Sequence, residues 1–440
     1  LNRILNYTIP YKPYPLTEFL RFGSGKERFY FESAQSPLAI AGLGIAAEIP
    51  GSGENRFASL TREVQDFFQH VIQLSDNTPR PVLLGGGSFF AEMNRGEWDS
   101  FPHAALILPR YALTRTRGET WFSVNIALNK NESAANATKR ARLESETFIA
   151  QLESAVIPPP SIPNEISVQE TSRAVWQNTI SRSIEMIRQG GLKKVVMARP
   201  IQVTGNRAVD VPAMLEHLGE SCPSCFRFLF EFTPGTTFAG ATPERLVSVS
   251  GAEFATAAVA GSIRRGDFPL EDEILGKQLI DSAKDQSEHV FVIEQIREKM
   301  QPLAELLNID STPKLLRLPN IQHLRTGITG TLHADHGILN IVAALHPTPA
   351  VGGVPSEDAL CVIRELEGFE RGWYAAPVGW VDDNGDGDFV VAIRSGLFHE
   401  NTATLYGGAG IVADSDPQKE WDETGLKIRF LLNALQCEMA

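Results

Sequence analysis

Cysteine is scarce in this 440-residue chain: Cys222 and Cys225 form a CxxC, and Cys361 and Cys437 stand alone. Four residues make no disulfide framework, and without a second pair the CxxC lacks the pattern of a zinc site, so chance spacing is the expected reading. Long apolar runs are lacking too. The longest, LAIAGLGIAAEI from Leu38, is too short to span a bilayer and reads as a buried strand. No charged segment leading into an apolar run at the N-terminus suggests export, and a cytoplasmic location is expected. Basic residues are in deficit: 40 Lys and Arg stand against 53 Asp and Glu, for a net charge of -13 and a pI near 5.3. That balance argues against nucleic acid and anionic membranes as main partners, and an anionic substrate would need a local positive site. What is present, 43% hydrophobic, 21% charged and 8% aromatic residues, describes a globular protein with a large core rather than a disordered one.

Residues 1–155 mix short apolar runs with Gly and Pro, as in PVLLGGGSFF and HAALILPRYAL, and predict several strands. Helical spacing of Val64, Phe67, Phe68, Val71 and Ile72 predicts a helix around Glu63 to Leu74, and another is predicted over Asn136 to Leu152. The proline-rich SAVIPPPSIPNE from Ser154 reads as a linker before a C-terminal region, 165–440. There Val175, Trp176, Ile180, Ile184 and Ile187 predict a helix from Ser167 to Gln189, stopped by Gly190 and Gly191. KVVMARPIQVTG, CFRFLFEFTPG and TTFAGATPERLVSVSG read as strands, while Leu270 to Leu307 and Glu420 to Leu435 read as helices. Hairpin-linked strands interrupted by long helices predict an antiparallel α+β core. GLGIAA from Gly42 has no helix after it to hold a pyrophosphate, and the GGG from Gly85 lacks a following GK[ST]. DDNGDGDF from Asp382 places Ile393 where a calcium loop needs a bidentate Glu, so an Asn384-Gly385 hairpin turn is expected instead.

Two acidic helix turns carry the most information. Asp285 with Glu288, and Glu420 with Glu423, set carboxylates three residues apart on one helix face, an unfavourable arrangement unless a cation or cationic side chains neutralise it. Two such turns facing each other would suit Mg2+, which binds a few carboxylates, keeps waters and takes further ligands from an anionic substrate. Solvated helix faces are the alternative, and spacing alone leaves it open. Lys194 heads an apolar strand, the setting in which a lysine can serve as a general base, although a lysine at a strand edge is usually solvated. Glu244 beside Arg245 could be a proton donor or half of a surface pair.

The blocks KVVMAR, ATPERL, VAGSIRRG, DSAKDQSEH, LRTGITG, LHPTPAVGG, GWYAAPVGW, AIRSG, YGGAGIV and DPQKEWDETGLK follow one another in the order of the chorismate-utilising enzymes. From about Glu170 to the C-terminus the chain resembles that family, and within it the isochorismate synthases, relatives of anthranilate, aminodeoxychorismate and salicylate synthases. The N-terminal part matches loosely. The resemblance implies an α+β fold of two packed antiparallel β-sheets, a sandwich with helices on the outside, to which residues 1–155 contribute. It also implies a cleft with Mg2+.

By resemblance, Lys194 activates water to attack C2 of chorismate while Glu244 protonates the departing C4 hydroxyl from the other side of the ring. Glu288 and Glu423 bind Mg2+ directly, with Asp285 and Glu420 behind waters, and the metal holds the ring carboxylate. Arg394, Tyr374 and the backbone of Gly408 and Gly410 take the enolpyruvyl carboxylate; Lys427 pairs with Glu423 in the empty site, and Gly261 and Ser262 line the cleft. His323 and His346 fall in matched blocks as structural or contact residues. Lysine at 194 suits water as nucleophile, so no glutaminase subunit is expected, and Ala260 stands where covalent aminodeoxychorismate synthases carry a nucleophilic lysine. Ala350 stands where salicylate synthases tend to have threonine, which favours stopping at isochorismate over salicylate formation, the alternative. The longer N-terminal region points to menaquinone rather than catechol siderophore supply.

Overall fold

Two long antiparallel strands, Leu38–Gly51 and Ala104–Thr116, carry the architecture. The computed structural model describes residues 3–435 apart from 37, 76, 94–95, 131, 161–164 and 319–320, so part of the proline-rich linker and Cys437 lie outside the described residues. Between Ile45 and Ala47 the register of the long pair shifts, and Gly44 there takes φ 65. Such a bulge bends a ladder, and each strand accordingly has one half in each of two arms.

In the first arm, Ala104 to Ile107 pair with Leu83–Gly87, followed by Pro377–Val381, Gly387–Val391, Arg245–Ser250, Glu253–Arg264 and Ile321–Leu332. In the second, Leu38–Gly51 pairs with Arg28–Glu32, and the ladder continues through Phe226–Thr233, Thr236–Thr242, Ser395–His399, Thr402–Ile411 and Lys194–Gly205. Among the described residues every ladder is antiparallel except that of Ile4–Tyr11 with Val71–Gln73. Two separate sheets were expected from the resemblance; the described strands form one continuously hydrogen-bonded sheet, because the two long strands belong to both arms.

Strand alternation divides the apolar residues between two cores. Phe29 and Phe31 enter a larger core together with Met197, Phe228, Leu84, Val247 and Val378, drawn from both arms. Tyr30 between them faces a second core, in which Phe19, Phe148, Leu215 and Leu431 come from helices Leu16–Phe22, Ala134–Ser154, Val211–Ser221 and Pro417–Ala434.

Local periodicity misplaced several boundaries. The helix expected at Glu63 to Leu74 is Arg56–Gln69, and Val71 and Ile72 leave it to pair with Ile4 and Leu5. The helix expected from Ser167 starts at Arg173, because Ile166–Glu170 pairs with the Lys194–Gly205 strand. The segment Leu270 to Leu307 is two helices, Pro269–Asp281 and Ala283–Met300, followed by the strand Ala304–Ile309. In each case a backbone partner distant in sequence outweighed spacing along the chain. Gly385 takes φ 79 in the expected turn, where the Asp382 carboxylate accepts from the amides of Asn384 and Asp386. Cys222 and Cys225, expected to be chance neighbours, are joined as a disulfide.

Candidate active site

Neighbouring antiparallel strands run in opposite directions, so the end of Thr236–Thr242, the start of Ser395–His399, the end of Thr402–Ile411 and the start of Lys194–Gly205 meet at one edge of the second arm. Along that edge stand Glu244, Arg394, Gly408, Gly410 and Lys194, all lining one cavity of about 310 Å³. Gly261 and Ser262 of the first arm, with His323, form another wall, and Ala350 and Tyr374 close it. Two helices aim their first turns into the same space, Ala283–Met300 with Asp285 and Glu288, and Pro417–Ala434 with Glu420, Glu423 and Lys427. Of the residues assigned to the cleft or to its matched blocks by resemblance, His346 lies outside this lining. Its Nε2 lies 3.0 Å from the Phe89 carbonyl, its ring packs edge-on against Phe57 and Phe89, and burial lowers its pKa to about 3. It is a structural histidine.

Lys194 is 7% exposed and donates to Glu288 Oε1 at 2.6 Å. Gly410 makes room for it: a Cβ there would sit 2.9 Å from Lys194 Cε. Glu244 follows Pro243, its backbone tied by its amide to Thr242 Oγ1 at 3.2 Å and by its carbonyl to the Val391 amide at 3.0 Å. The cavity reaches its side chain, yet protein encloses it deeply. Burial therefore raises its carboxyl to about 7, against the pull of Lys194, Arg394 and Lys427. The strands leading to Lys194 and Glu244 have two others between them, about three strand spacings or roughly 14 Å, so amine and acid enter from opposite flanks.

Tyr374 stacks on Tyr406 at 4.9 Å, and burial raises its hydroxyl to about 12. That hydroxyl lies 3.1 Å from where a Cβ of residue 408 would be, so only glycine leaves it clear. Ala375 and Arg394 both adopt left-handed backbone, φ 62 and 53, strain of the kind that surrounding structure must enforce. Gly261, φ 72, forms the bulge that turns Ser262 toward His323 Nδ1 at 2.8 Å. Burial lowers His323 to about 4, so it stands neutral beside the cations.

The carboxylates are set by their helix starts. Ser282 caps Ala283–Met300 and donates its hydroxyl to Asp285; Asp416 caps Pro417–Ala434 through the amides of Gln418 and Lys419. Glu423 accepts from Lys427 at 2.5 Å, and Lys427 also donates to the Gly408 carbonyl at 2.8 Å. Burial would raise Glu423, but Lys427 pulls it below the usual carboxylate range. Glu420 is raised to about 7 by burial and then by the charge of Glu423. Among the described residues no three His, Cys, Asp or Glu side chains already form a metal cage. The donor set nevertheless suits a hard cation. Six cationic side chains, Lys194, Lys284, Arg371, Arg394, Lys419 and Lys427, face seven acidic ones, Glu244, Asp285, Glu288, Asp414, Asp416, Glu420 and Glu423; since Glu244 and Glu420 are both raised to about 7 and carry a proton part of the time at neutral pH, the opposite charges nearly balance. A dianion gains little from so nearly balanced a field unless a cation enters with it.

Arg371 escaped the sequence reading. It is 1% exposed, lines the cavity, and donates to Glu367, to the Val196 carbonyl and to the Val351 carbonyl, clamping the Lys194 strand to the loop that carries Ala350. Lys284 and Lys419, inside the motifs DSAKDQSEH and DPQKEWDETGLK, also line the cavity, and nothing in their spacing singled them out.

This chain belongs to the chorismate binding enzymes, a family that matches it over residues 2–436, the N-terminal part included. Two relatives narrow the comparison. The salicylate biosynthesis isochorismate synthase of Pseudomonas aeruginosa is 38% identical over 432 residues, 96% of this chain and 88% of that one. Isochorismate synthase MenF of Bacillus subtilis is 33% identical over 433 residues, 95% and 90% of the two chains. Among solved structures, MenF, the menaquinone-specific isochorismate synthase from Escherichia coli, aligns with a TM-score of 0.81 at 26% identity over 99% of this chain and 95% of that one. Anthranilate synthase component I from Streptococcus pneumoniae, 19% identical with a TM-score of 0.72 over 91% and 93%, shares the fold.

Proposed function

We propose that this protein is an isochorismate synthase, exchanging the C4 hydroxyl of chorismate for a hydroxyl at C2. The observation that carries the reading is a buried lysine and a carboxylic acid raised to about 7, entering one cavity from opposite flanks. Lys194, once released from Glu288, takes a proton from the water that attacks C2. Glu244, still protonated near neutrality, gives its proton to the hydroxyl leaving C4. This chemistry requires an amine that accepts a proton on one side of the ring and an acid that donates one on the other.

Arg394 and the Tyr374 hydroxyl would take the enolpyruvyl carboxylate, with the amides of Gly408 and Gly410 close behind. Lys427, Gly261 and Ser262 would complete the substrate's surroundings, and Ala350 leaves the space beside the ring unfilled. Glu288 and Glu423 would hold Mg2+, with Asp285 and Glu420 behind its waters, and the ion would supply the positive charge for the ring carboxylate. Menaquinone supply, favoured from the longer N-terminal region, remains part of this proposal.

The test is product analysis after incubating the purified chain with chorismate and Mg2+. Isochorismate is expected, and Lys194→Ala and Glu244→Ala should each lose about 10²–10⁴-fold in turnover. Chelating the metal should abolish turnover and added Mg2+ restore it. Salicylate as the main product, or near-normal rates in either variant, would overturn the assignment.

A further inference from the structure

Cys222 ends the helix Val211–Ser221, and Cys225 precedes the strand Phe226–Thr233. Between them lies a hydrogen-bonded turn: the Cys225 amide donates to the Cys222 carbonyl at 3.0 Å, and Pro223 occupies the position whose φ proline presets. Gln35 holds the turn from outside, its Nε2 donating to the Ser224 carbonyl at 2.7 Å. The backbone thus keeps the two Cα atoms 5.6 Å apart, inside the range a disulfide needs, and the sulfurs are paired.

Both side chains are shielded from the outer surface, at 3% and 4% exposure, yet both line a second cavity of about 630 Å³ with apolar walls that include Leu318, Leu426 and Phe430. That space adjoins the active cavity, since Pro243, Arg394, Glu423 and Lys427 line both. The strand that leaves Cys225 pairs Phe226 with Thr242, the residue just before Pro243 and Glu244. The cysteine turn is therefore one ladder step from the segment that carries the acid. Cys361, by contrast, is exposed and unpaired. In a chain with four cysteines, a pair on a preformed turn is, in a reducing compartment, the kind that serves redox sensing.

We propose that Cys222 and Cys225 are a reversible redox-modification site that sets turnover by fixing the Pro243–Glu244 segment. The co-reactant is a small disulfide such as oxidised glutathione, entering through the apolar cavity. One cysteine thiolate attacks it, breaking its S–S bond and releasing one small thiol. The second cysteine attacks the mixed disulfide, forming the Cys222–Cys225 bond and releasing the second small thiol. The cysteines lose two electrons in all and the small disulfide gains them; each released thiol carries one of the two cysteine protons. In the disulfide state the turn is locked and Glu244 is held as described. In the dithiol state the sulfurs separate, the turn loosens against Thr242, and the acid is less well placed.

The effect on turnover rests on the function proposed above; the cysteine chemistry does not. The intact chain is equilibrated in glutathione buffers of graded poise, its free thiols are alkylated and counted peptide by peptide, and turnover of chorismate with Mg2+ is measured in each buffer. Alkylation of Cys222 and Cys225 should disappear together as the buffer becomes oxidising, while Cys361 alkylates wherever a free thiol remains. Between the disulfide and dithiol states kcat should fall about tenfold with little change in KM, the size expected when a catalytic group is slightly misplaced. The Cys222→Ser, Cys225→Ser double variant should give one kcat in every buffer. Full alkylation of both cysteines in the most oxidising buffer would overturn the redox site, and equal kcat in the two states would overturn its control of turnover. Chorismate inert in every state would overturn the functional reading, with the alkylation curve still deciding the redox site.

Discussion

Glu244 should impose the upper limit of the pH range. Its carboxyl is raised to about 7, so the protonated form needed at C4 is lost above that pH, and kcat/KM should fall as pH rises through about 7. The same shift affects stability. Folded chain keeps a proton that unfolded chain has released between about 4.5 and 7, so stability is lost as pH rises through that window. At pH 8, Glu244→Gln should therefore be more stable than the parent by up to about 3 kcal/mol, with no such gain at pH 4, as thermal unfolding at the two pH values would show. A second substitution separates positioning from folding. Gly410→Ala would bring its Cβ within 2.9 Å of Lys194 Cε, the far end of a flexible side chain that can move aside. The fold should survive with Tm nearly unchanged while kcat drops by about 10–100-fold; equal rates would show that the lysine tolerates displacement.

Strands and helices reach the cavity through buried arginines. Arg199, on the Lys194 strand, donates to Thr424 Oγ1 at 2.8 Å and lies 3.6 Å over the Trp421 ring, tying that strand to the helix of Glu420 and Glu423. Arg371 ties it to the Ala350 loop and pairs with Glu367, both side chains almost fully buried. Removing one partner of a buried pair leaves an uncompensated charge, so Arg371→Ala should cost about 3–5 kcal/mol in denaturant unfolding. Arg371→Lys keeps the charge without the planar fork and should recover only part of the loss. These braces were not legible in the sequence, because an arginine in GFERGWYAAP looks like any surface arginine until the carbonyls it meets are known. Helices with a clear apolar stripe, such as Arg173–Gln189, were legible; strands of a few residues, such as Val71–Gln73, were not, since their partners lie far along the chain.

The N-terminal 155 residues are built into the same sheet as the rest. Arg28–Glu32 pairs with Phe226–Thr233, and Leu83–Gly87 with Pro377–Val381, so the first third of the chain joins the two arms of the last two thirds. A fragment of residues 165–440 would expose two unpaired strand edges at those joints, one on Phe226–Thr233 and one on Pro377–Val381. It should show no cooperative unfolding transition and should aggregate, and a soluble, cooperatively folding fragment would refute this dependence. Charge acts over the same dimensions. A net charge of -13 repels a dianion, and the cavity's own charges nearly balance, so substrate binding should depend on added divalent cation far more than on ionic strength.

The sequence by itself determined the types of element, the spacing of the two acidic turns and the ordered motifs that mark the family, because these depend on neighbours within a few residues or on blocks that can be read in order. Tertiary structure alone decided that one continuous sheet bends through two long strands, that Lys194 and Glu288 meet, that Glu244 is buried enough to keep its proton, and that two cysteines three residues apart face the space beside the acid. Each of these depends on groups far apart in the chain and on how completely water is excluded around them, and neither quantity exists until the chain has folded.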